Sequence, residues 1–182
     1  MKVLSTNIGK RTKIEYKSKV YDTGIYKYPV DEGVYLGKED VARDVVLDRK
    51  HHGGVNQAVY AFGFNHYPYF REKFPDQNWH QGMFGENLTI DLLDETKLYI
   101  GEQYQLGEAL LEISQVPRKP CSTLGAKFQD MSIVKVFWNT DKPGVYFKVI
   151  KEGHVKPGDT FIRTKSVASD ALSVAEVFTS NR

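Results

Sequence analysis

The stretch Leu98-Tyr99-Ile100-Gly101-Glu102-Gln103-Tyr104-Gln105-Leu106-Gly107-Glu108-Ala109-Leu110-Leu111-Glu112-Ile113-Ser114 decides the fold class. Three apolar runs, 98–100, 104–106 and 109–114, are each too short for a helix. Gly101-Glu102-Gln103 and Gly107-Glu108 form corners between them. The same punctuation recurs outward in both directions. Upstream, 3–8 and 14–16 are expected to pair as a hairpin across a turn at 9–13. Strands at 24–30 and 34–36 flank Asp31-Glu32-Gly33. A strand at 41–47 runs into Asp48-Arg49-Lys50-His51-His52-Gly53-Gly54, a loop, since paired glycines tolerate positive φ. Asn56 is expected to cap a short helix through 61, and Pro68 to open another ending near Phe74. Tyr60 and Phe64 are four apart, as are Phe70 and Phe74, which reads as packing stripes. A strand at 88–90 precedes the quoted stretch. Downstream, Met131, Val134 and Trp138 share one helical face, and strands at 145–150 and 160–164 flank Lys156-Pro157-Gly158-Asp159. Many short strands with glycine corners predict a mainly β fold of barrel type rather than alternating βα units. No second-domain boundary is visible over 1–182. Residues 166–182 read as a tail, although 172–178 is too apolar to be disordered.

The 182 residues suffice for one hydrophobic core, and 25 basic against 23 acidic side chains leave a formal charge of +2. That balance gives no steering toward nucleic acid or membrane. The first residues lack the apolar stretch of a secretory signal, and no run approaches the roughly 18 apolar residues of a membrane helix. Expectation therefore falls on the cytoplasm. A single cysteine excludes an intramolecular disulfide and a four-cysteine metal centre within one chain.

That cysteine ends Gln115-Val116-Pro117-Arg118-Lys119-Pro120-Cys121. Two prolines stiffen the connection, and Arg118 and Lys119 lower the thiol pKa if they face it. The thiolate then attacks an electrophile or ligates a soft metal. A buried, inert thiol beneath two solvated cations satisfies the same residues. In the second candidate loop Arg49 offers a forked donor, Lys50 a compact charge, and Gly53 and Gly54 an open backbone for an anion. His51 or His52 can switch between proton donor and acceptor near neutral pH, while solvated loop charges with one structurally bonded histidine satisfy the same residues. Gly82-Met83-Phe84-Gly85-Glu86-Asn87-Leu88 is the third. Asn87 can recognise an amide-bearing ring, while the plainer reading is a secured turn. His51, His52, His66, His80 and His154 lack metal-site spacing, and no Walker loop, dinucleotide fingerprint or Gly-x-Ser-x-Gly elbow occurs.

Taken in order, these loops resemble the MOSC family, named for the C-terminal domain of molybdenum cofactor sulfurase, and within it the YiiM-type bacterial branch. The resemblance rests on Lys27-Tyr28-Pro29-Val30, His52-Gly53-Gly54, Phe84-Gly85-Glu86-Asn87-Leu88-Thr89, Ile100-Gly101-Glu102-Gln103-Tyr104, the Cys121 loop, Gly144-Val145-Tyr146-Phe147-Lys148-Val149, Gly153 and Gly158-Asp159, over residues 20–165. It implies a twisted, partly open β-barrel of the pyruvate-kinase-barrel-like type with short helical insertions. It further implies the molybdenum cofactor in its molybdopterin form, with Cys121 as metal ligand. Arg118, Lys119, Arg49, Lys50, Asn87, Gly53 and Gly54 become candidate cofactor contacts, and Cys121 and His52 the candidate catalytic residues. The implied activity is reduction of N-hydroxylated small molecules such as hydroxylamino purines, a detoxification, with electrons from an external donor protein. A sulfur-transfer module using a Cys121 persulfide and a noncatalytic binder of a phosphorylated cofactor are the alternatives. A monomer or homodimer is expected. YiiM-type relatives continue into a small helical domain, of which 166–182 would be the remnant.

Overall fold

A computed structural model describes residues 1–47, 53–168 and 170–182. The chain folds around one eight-stranded sheet. Its strands are β1 (Val3–Gly9), β4 (Lys27–Pro29), β6 (Val59–Gly63), β7 (Leu88–Ile90), β8 (Gln103–Leu106), β9 (Ala109–Gln115), β10 (Val145–Lys151) and β12 (Ile162–Lys165). They lie in the order β12-β8-β9-β10-β6-β7-β1-β4. The fold is therefore mainly β with an open sheet and short helical insertions, as expected, and β12 and β4 are the two edges of the sheet. Pairing is antiparallel except between β6 and β7. Two small ribbons complete the strands: β2 (Thr12–Tyr16) with β3 (Lys19–Thr23), and β5 (Val34–Leu36) with β11 (Gly153–Val155).

The quoted stretch behaves as read over its second half, where β8 and β9 pair across Gly107, with Leu106 opposite Ala109. Residues 98–100 instead make only a bridge from Tyr99 to Ser173. Alternation along β9 and β10 buries Leu111, Ile113, Val145, Phe147 and Val149 on one face, the period-two pattern of a strand packed on one side. Glu112, Ser114, Tyr146 and Lys148 are left on the other.

Three expectations fail for identifiable reasons. The opening hairpin does not form between β1 and β2. Lys17 and Ser18 take positive φ (46° and 63°) and turn β2 onto β3, as tight two-residue hairpins require, while β1 is drawn between β4 and β7. Residues 41–47 are not a strand. Arg43 has φ 67°, and Asp44 turns inward to accept from Lys27 Nζ at 2.6 Å and Gly9 N–H at 2.7 Å. Instead of a helix through residue 61, a short 3-10 turn at Val55–Gln57 leads straight into β6. Val59, Ala61 and Phe62 are wholly buried there, and sheet pairing overrides the weak local preference.

Three of the helices, α1 (Tyr67–Lys73), α2 (Ser122–Phe128) and α3 (Ser132–Trp138), share an aromatic cluster. Phe62, Tyr67, Phe70, Phe84, Phe128 and Phe137 form its centre. Their rings pack at offset or edge-on angles, as between Tyr67 and Phe84 at 5.5 Å and 85°. The helix α4 (Val174–Ser180) follows Ser173 and buries Val174 and Phe178.

Candidate functional site

Cys121 is presented by an anchored helix. After β9, Val116 and Pro117 are buried, and Arg118 and Lys119 emerge exposed. Cys121 is the exposed N-cap of α2, in extended backbone, and its carbonyl accepts from Leu124 N–H at 3.2 Å. Leu124 and Phe128, four apart, bury one stripe of α2 in the aromatic cluster, each contributing about 1.5–3 kcal/mol. A Cβ on Gly125 would lie 2.3 Å from Met131 Sδ, so α2 and α3 meet there without a side chain between them.

Beside Cys121 stands Tyr146, which pairs with Gln115 on one side and Tyr60 on the other. The Tyr60 and Tyr146 rings are 4.9 Å apart, and the Tyr60 hydroxyl donates to Pro143 O at 2.7 Å. Burial, and then the nearby charge of Cys121, raises the Tyr146 phenol above its ordinary pKa. Burial thus keeps Tyr146 protonated beside Cys121. The hydroxyl of Ser114 lies 2.6 Å from Asn56 O and 3.1 Å from Tyr146 O. This pins the turn Val55–Gln57 onto the sheet face that bears Tyr60 and Tyr146. Gly53 and Gly54 enter that turn at φ 76° and 79°, and a Cβ at Gly54 would meet open space. Gly54 N–H donates to Glu39 O at 3.0 Å. The Gly-Gly turn, β9, β10 and Cys121 thus belong to one neighbourhood, although their sequence positions are far apart.

Asn87 sits deeper. Its amide nitrogen donates to Asp44 Oδ2 at 2.9 Å and to Asn7 O at 3.3 Å. Asp44 also holds Lys27 Nζ, with both side chains buried. The neighbouring Glu86 is wholly buried and accepts from Gly82 N–H, Phe84 N–H, Thr89 Oγ1 and the Tyr67 hydroxyl. Glu86 thereby secures the turn in which Gly82 and Gly85 have φ 88° and 81°. The turn is tied to α2 by Lys127, whose Nζ donates to Gly82 O and Ile25 O at 3.3 Å each. Burial lowers the Lys127 amine to about 7, with Glu86 opposing the shift and Lys27 adding to it.

Arg49, Lys50 and His52 lie outside the described residues. Of the other sequence candidates, Cys121, Arg118 and Lys119 share one loop, Gly53 and Gly54 border Val55–Gln57, and Asn87 belongs to the buried network. Tyr146, Tyr60, Asp44 and Lys127 were not foreseen as site residues. Tyr146 and Tyr60 had a usable signal, because strand alternation places both opposite the core-facing positions. Lys27 and Asp44 had none, being joined only by the folding of an irregular segment. Two open depressions, of about 610 Å³ at Thr96, Tyr99 and α4 and about 410 Å³ between β2, Tyr26 and Gln129, do not include Cys121. Among the described residues no three His, Cys, Asp or Glu side chains converge on a metal position. The exposed Cys121 thiol is the soft donor that these residues offer to a metal-bearing group.

The family model of the MOSC domain matches residues 48–161, a span that holds the Gly-Gly turn, Asn87, Cys121 and Tyr146. The chain belongs to the MOSC domain family. A MOSC relative, YflK of Bacillus subtilis (strain 168), is 40% identical over 156 residues, which are 86% of this chain and 70% of YflK. A protein of Gibberella moniliformis named a reductase is 33% identical over 141 residues, covering 76% of this chain but 25% of its own length. The crystal structure of YiiM from Geobacillus stearothermophilus superposes with a TM-score of 0.77 at 31% identity, over 97% of this chain and 81% of that one.

Proposed function

We propose that this MOSC domain is an oxidoreductase that uses the molybdenum cofactor, in its molybdopterin form, to reduce N-hydroxylated small molecules such as hydroxylamino purines. The observation that carries the reading is the exposed Cys121 at the head of an anchored helix, preceded by the exposed cations Arg118 and Lys119. A fungal relative named a reductase supports the reaction class. When bound, the cofactor supplies the two-electron chemistry in which an N–OH group, two electrons and two protons become N–H and water. Cys121 serves as the soft thiolate ligand. Arg118 and Lys119 hold the cofactor phosphate, with Arg49 and Lys50 as further cations and Gly53 and Gly54 as open backbone. Tyr146, kept protonated by burial beside Cys121, adds no competing anion. Asn87 is a further cofactor contact, His52 delivers a proton, and an external donor protein supplies the electrons. The setting is a cytoplasmic detoxification.

The test is co-expression of wild type and Cys121→Ala with a functioning molybdenum-cofactor pathway, followed by molybdenum and pterin quantification and turnover of an N-hydroxylated purine. Because Cys121 is exposed, the variant should keep wild-type stability to within about 0.5 kcal/mol. Its molybdenum content and turnover should fall at least about tenfold, as loss of roughly 1.4 kcal/mol of binding implies. Equal metal and equal turnover would remove Cys121 from the mechanism. The same exposed thiol also suits persulfide chemistry. A Cys121 persulfide formed without bound molybdenum would replace reduction by sulfur transfer.

A further inference from the structure

Hairpin β2–β3 concentrates positive charge on a nearly neutral molecule. Residues 10–19 hold five of the chain's 25 basic side chains, Lys10, Arg11, Lys13, Lys17 and Lys19, and one of its 23 acidic ones, Glu15. All six are exposed. Such charge on its own would be a solvated face. Here it borders an aromatic depression of about 410 Å³, whose lining includes Lys13, Ile14, Tyr26, Tyr28 and Gln129. Tyr28 is 53% exposed, and both rings are braced. His80 stacks on Tyr28 at 4.6 Å, and Lys127 Nζ lies 5.2 Å from the Tyr26 ring centroid. Val20, opposite Glu15 in the hairpin, is 64% exposed. Rigid aromatic anchors inside a charged rim are the anatomy of a protein docking surface. The patch is also tied to the helix of Cys121. Gln129 Nε2 donates to Glu15 O at 3.2 Å, and Gln129 is the C-cap of α2, whose N-cap is Cys121. At about 1.5 Å per residue, roughly 12 Å of helix separates the two.

We propose that hairpin β2–β3 and the Tyr26–Tyr28 depression dock an acidic electron-carrier protein that delivers electrons to the site. This rests on the oxidoreductase reading above. That reaction draws two electrons from outside the chain. Two one-electron carriers are each oxidised once, and N–OH with two protons becomes N–H and water. Carboxylates of the carrier meet Lys13, Lys17 and Lys19 and steer the encounter, while an apolar side chain of the carrier fills the depression. A compact acidic protein fits better than a nucleic acid. Outside residues 10–19 the acidic side chains outnumber the basic ones, so an extended polyanion gains nothing beyond the hairpin.

The probe is a plant-type ferredoxin, an acidic one-electron carrier of low potential, with reduced methyl viologen as a small donor that needs no docking surface. Wild type is compared with a variant carrying Lys13→Glu, Lys17→Glu and Lys19→Glu, and with Tyr28→Ala. Thermal midpoints check that the variants remain folded. Ferredoxin binding, followed by titration calorimetry at low and high ionic strength, should be salt-sensitive in wild type. It should weaken at least about tenfold in the charge-reversed variant. Tyr28→Ala should also weaken binding but keep the salt dependence, since it removes an anchor and no charge. In cofactor-loaded protein, ferredoxin-driven reduction of an N-hydroxylated purine should fall with binding, while viologen-driven reduction stays at the wild-type rate. Ferredoxin binding that is absent from wild type, or equal in the charge-reversed variant, would overturn the docking surface and leave the oxidoreductase reading intact. A single-stranded oligonucleotide bound as tightly as ferredoxin would reassign the hairpin to nucleic acid and also overturn it. Wild type that turns over with neither donor would defeat the oxidoreductase reading and the electron-carrier role with it.

Discussion

Lys127 shows how a single buried charge ties the site to the pH of its surroundings. In the unfolded chain its amine titrates at the ordinary 10.5, and in the fold at about 7. Below the folded value the native state bears the full cost of enclosing an ammonium. As pH rises from there toward 10.5 the unfolded chain binds more protons, so stability rises with pH. The groups that act on it, Glu86 and Lys27, come from the Gly82–Gly85 turn region and β4, with the Tyr26 ring 5.2 Å away. Wild type should gain about 2 kcal/mol more than Lys127→Met between about pH 7 and pH 9. Parallel urea-unfolding stabilities for the two across that window would refute the shift. Glu86 is the opposite case, a buried carboxylate saturated with donors. Replacing it with Leu strands Gly82 N–H, Phe84 N–H and Thr89 Oγ1 together. We expect a loss of at least about 3 kcal/mol in chemical denaturation, since each orphaned group costs roughly 1–3 kcal/mol.

Helix α2 is only seven residues long and has no side-chain cap hydrogen bond at Cys121. An isolated helix of that length would not form. Its position depends on the burial of Leu124 and Phe128 and on Lys127, which explains why the sequence around Pro120 and Cys121 did not announce it. The opposite holds for α4, whose start is written locally. Ser173 and Glu176 form a reciprocal capping box, with Ser173 N–H donating to Glu176 Oε2 at 2.8 Å and Glu176 N–H to Ser173 Oγ at 3.3 Å. Ser173→Ala should cost about 1 kcal/mol. A lowered thermal midpoint with unchanged cofactor content would confirm that α4 stabilises the domain without touching the site. Cofactor loss in that variant would contradict the placement of the site around β9 and β10.

At the scale of the whole molecule, the sheet leaves two edges, and both are poor templates for pairing. β4 has three residues and ends in Pro29, and β12 has four exposed residues including Arg163 and Lys165. Short edges that carry proline or charge discourage strand addition. Sedimentation across a range of concentrations should therefore give a constant mass near the 20.8 kDa of one chain. A mass that rises toward twice that value would show that another surface pairs. Among the described residues no helix is long and apolar enough to cross a membrane.

Local chemistry alone determined the mainly β character, the turn at Gly53 and Gly54, the helix opened by Pro68 and the stiff Pro117–Pro120 approach to Cys121. These depend on φ preferences and period-two burial, which neighbouring residues fix. The ordered loops also carried the family, because they recur as short contiguous segments. Tertiary structure alone decided that β1 lies between β4 and β7, that Asp44 turns inward to Lys27 and Asn87, and that Tyr146 stands beside Cys121. Each of these depends on contacts between residues 17 to 82 positions apart. Their free energy comes from burial and from pairing polar groups away from water, neither of which exists until the chain has closed around its core.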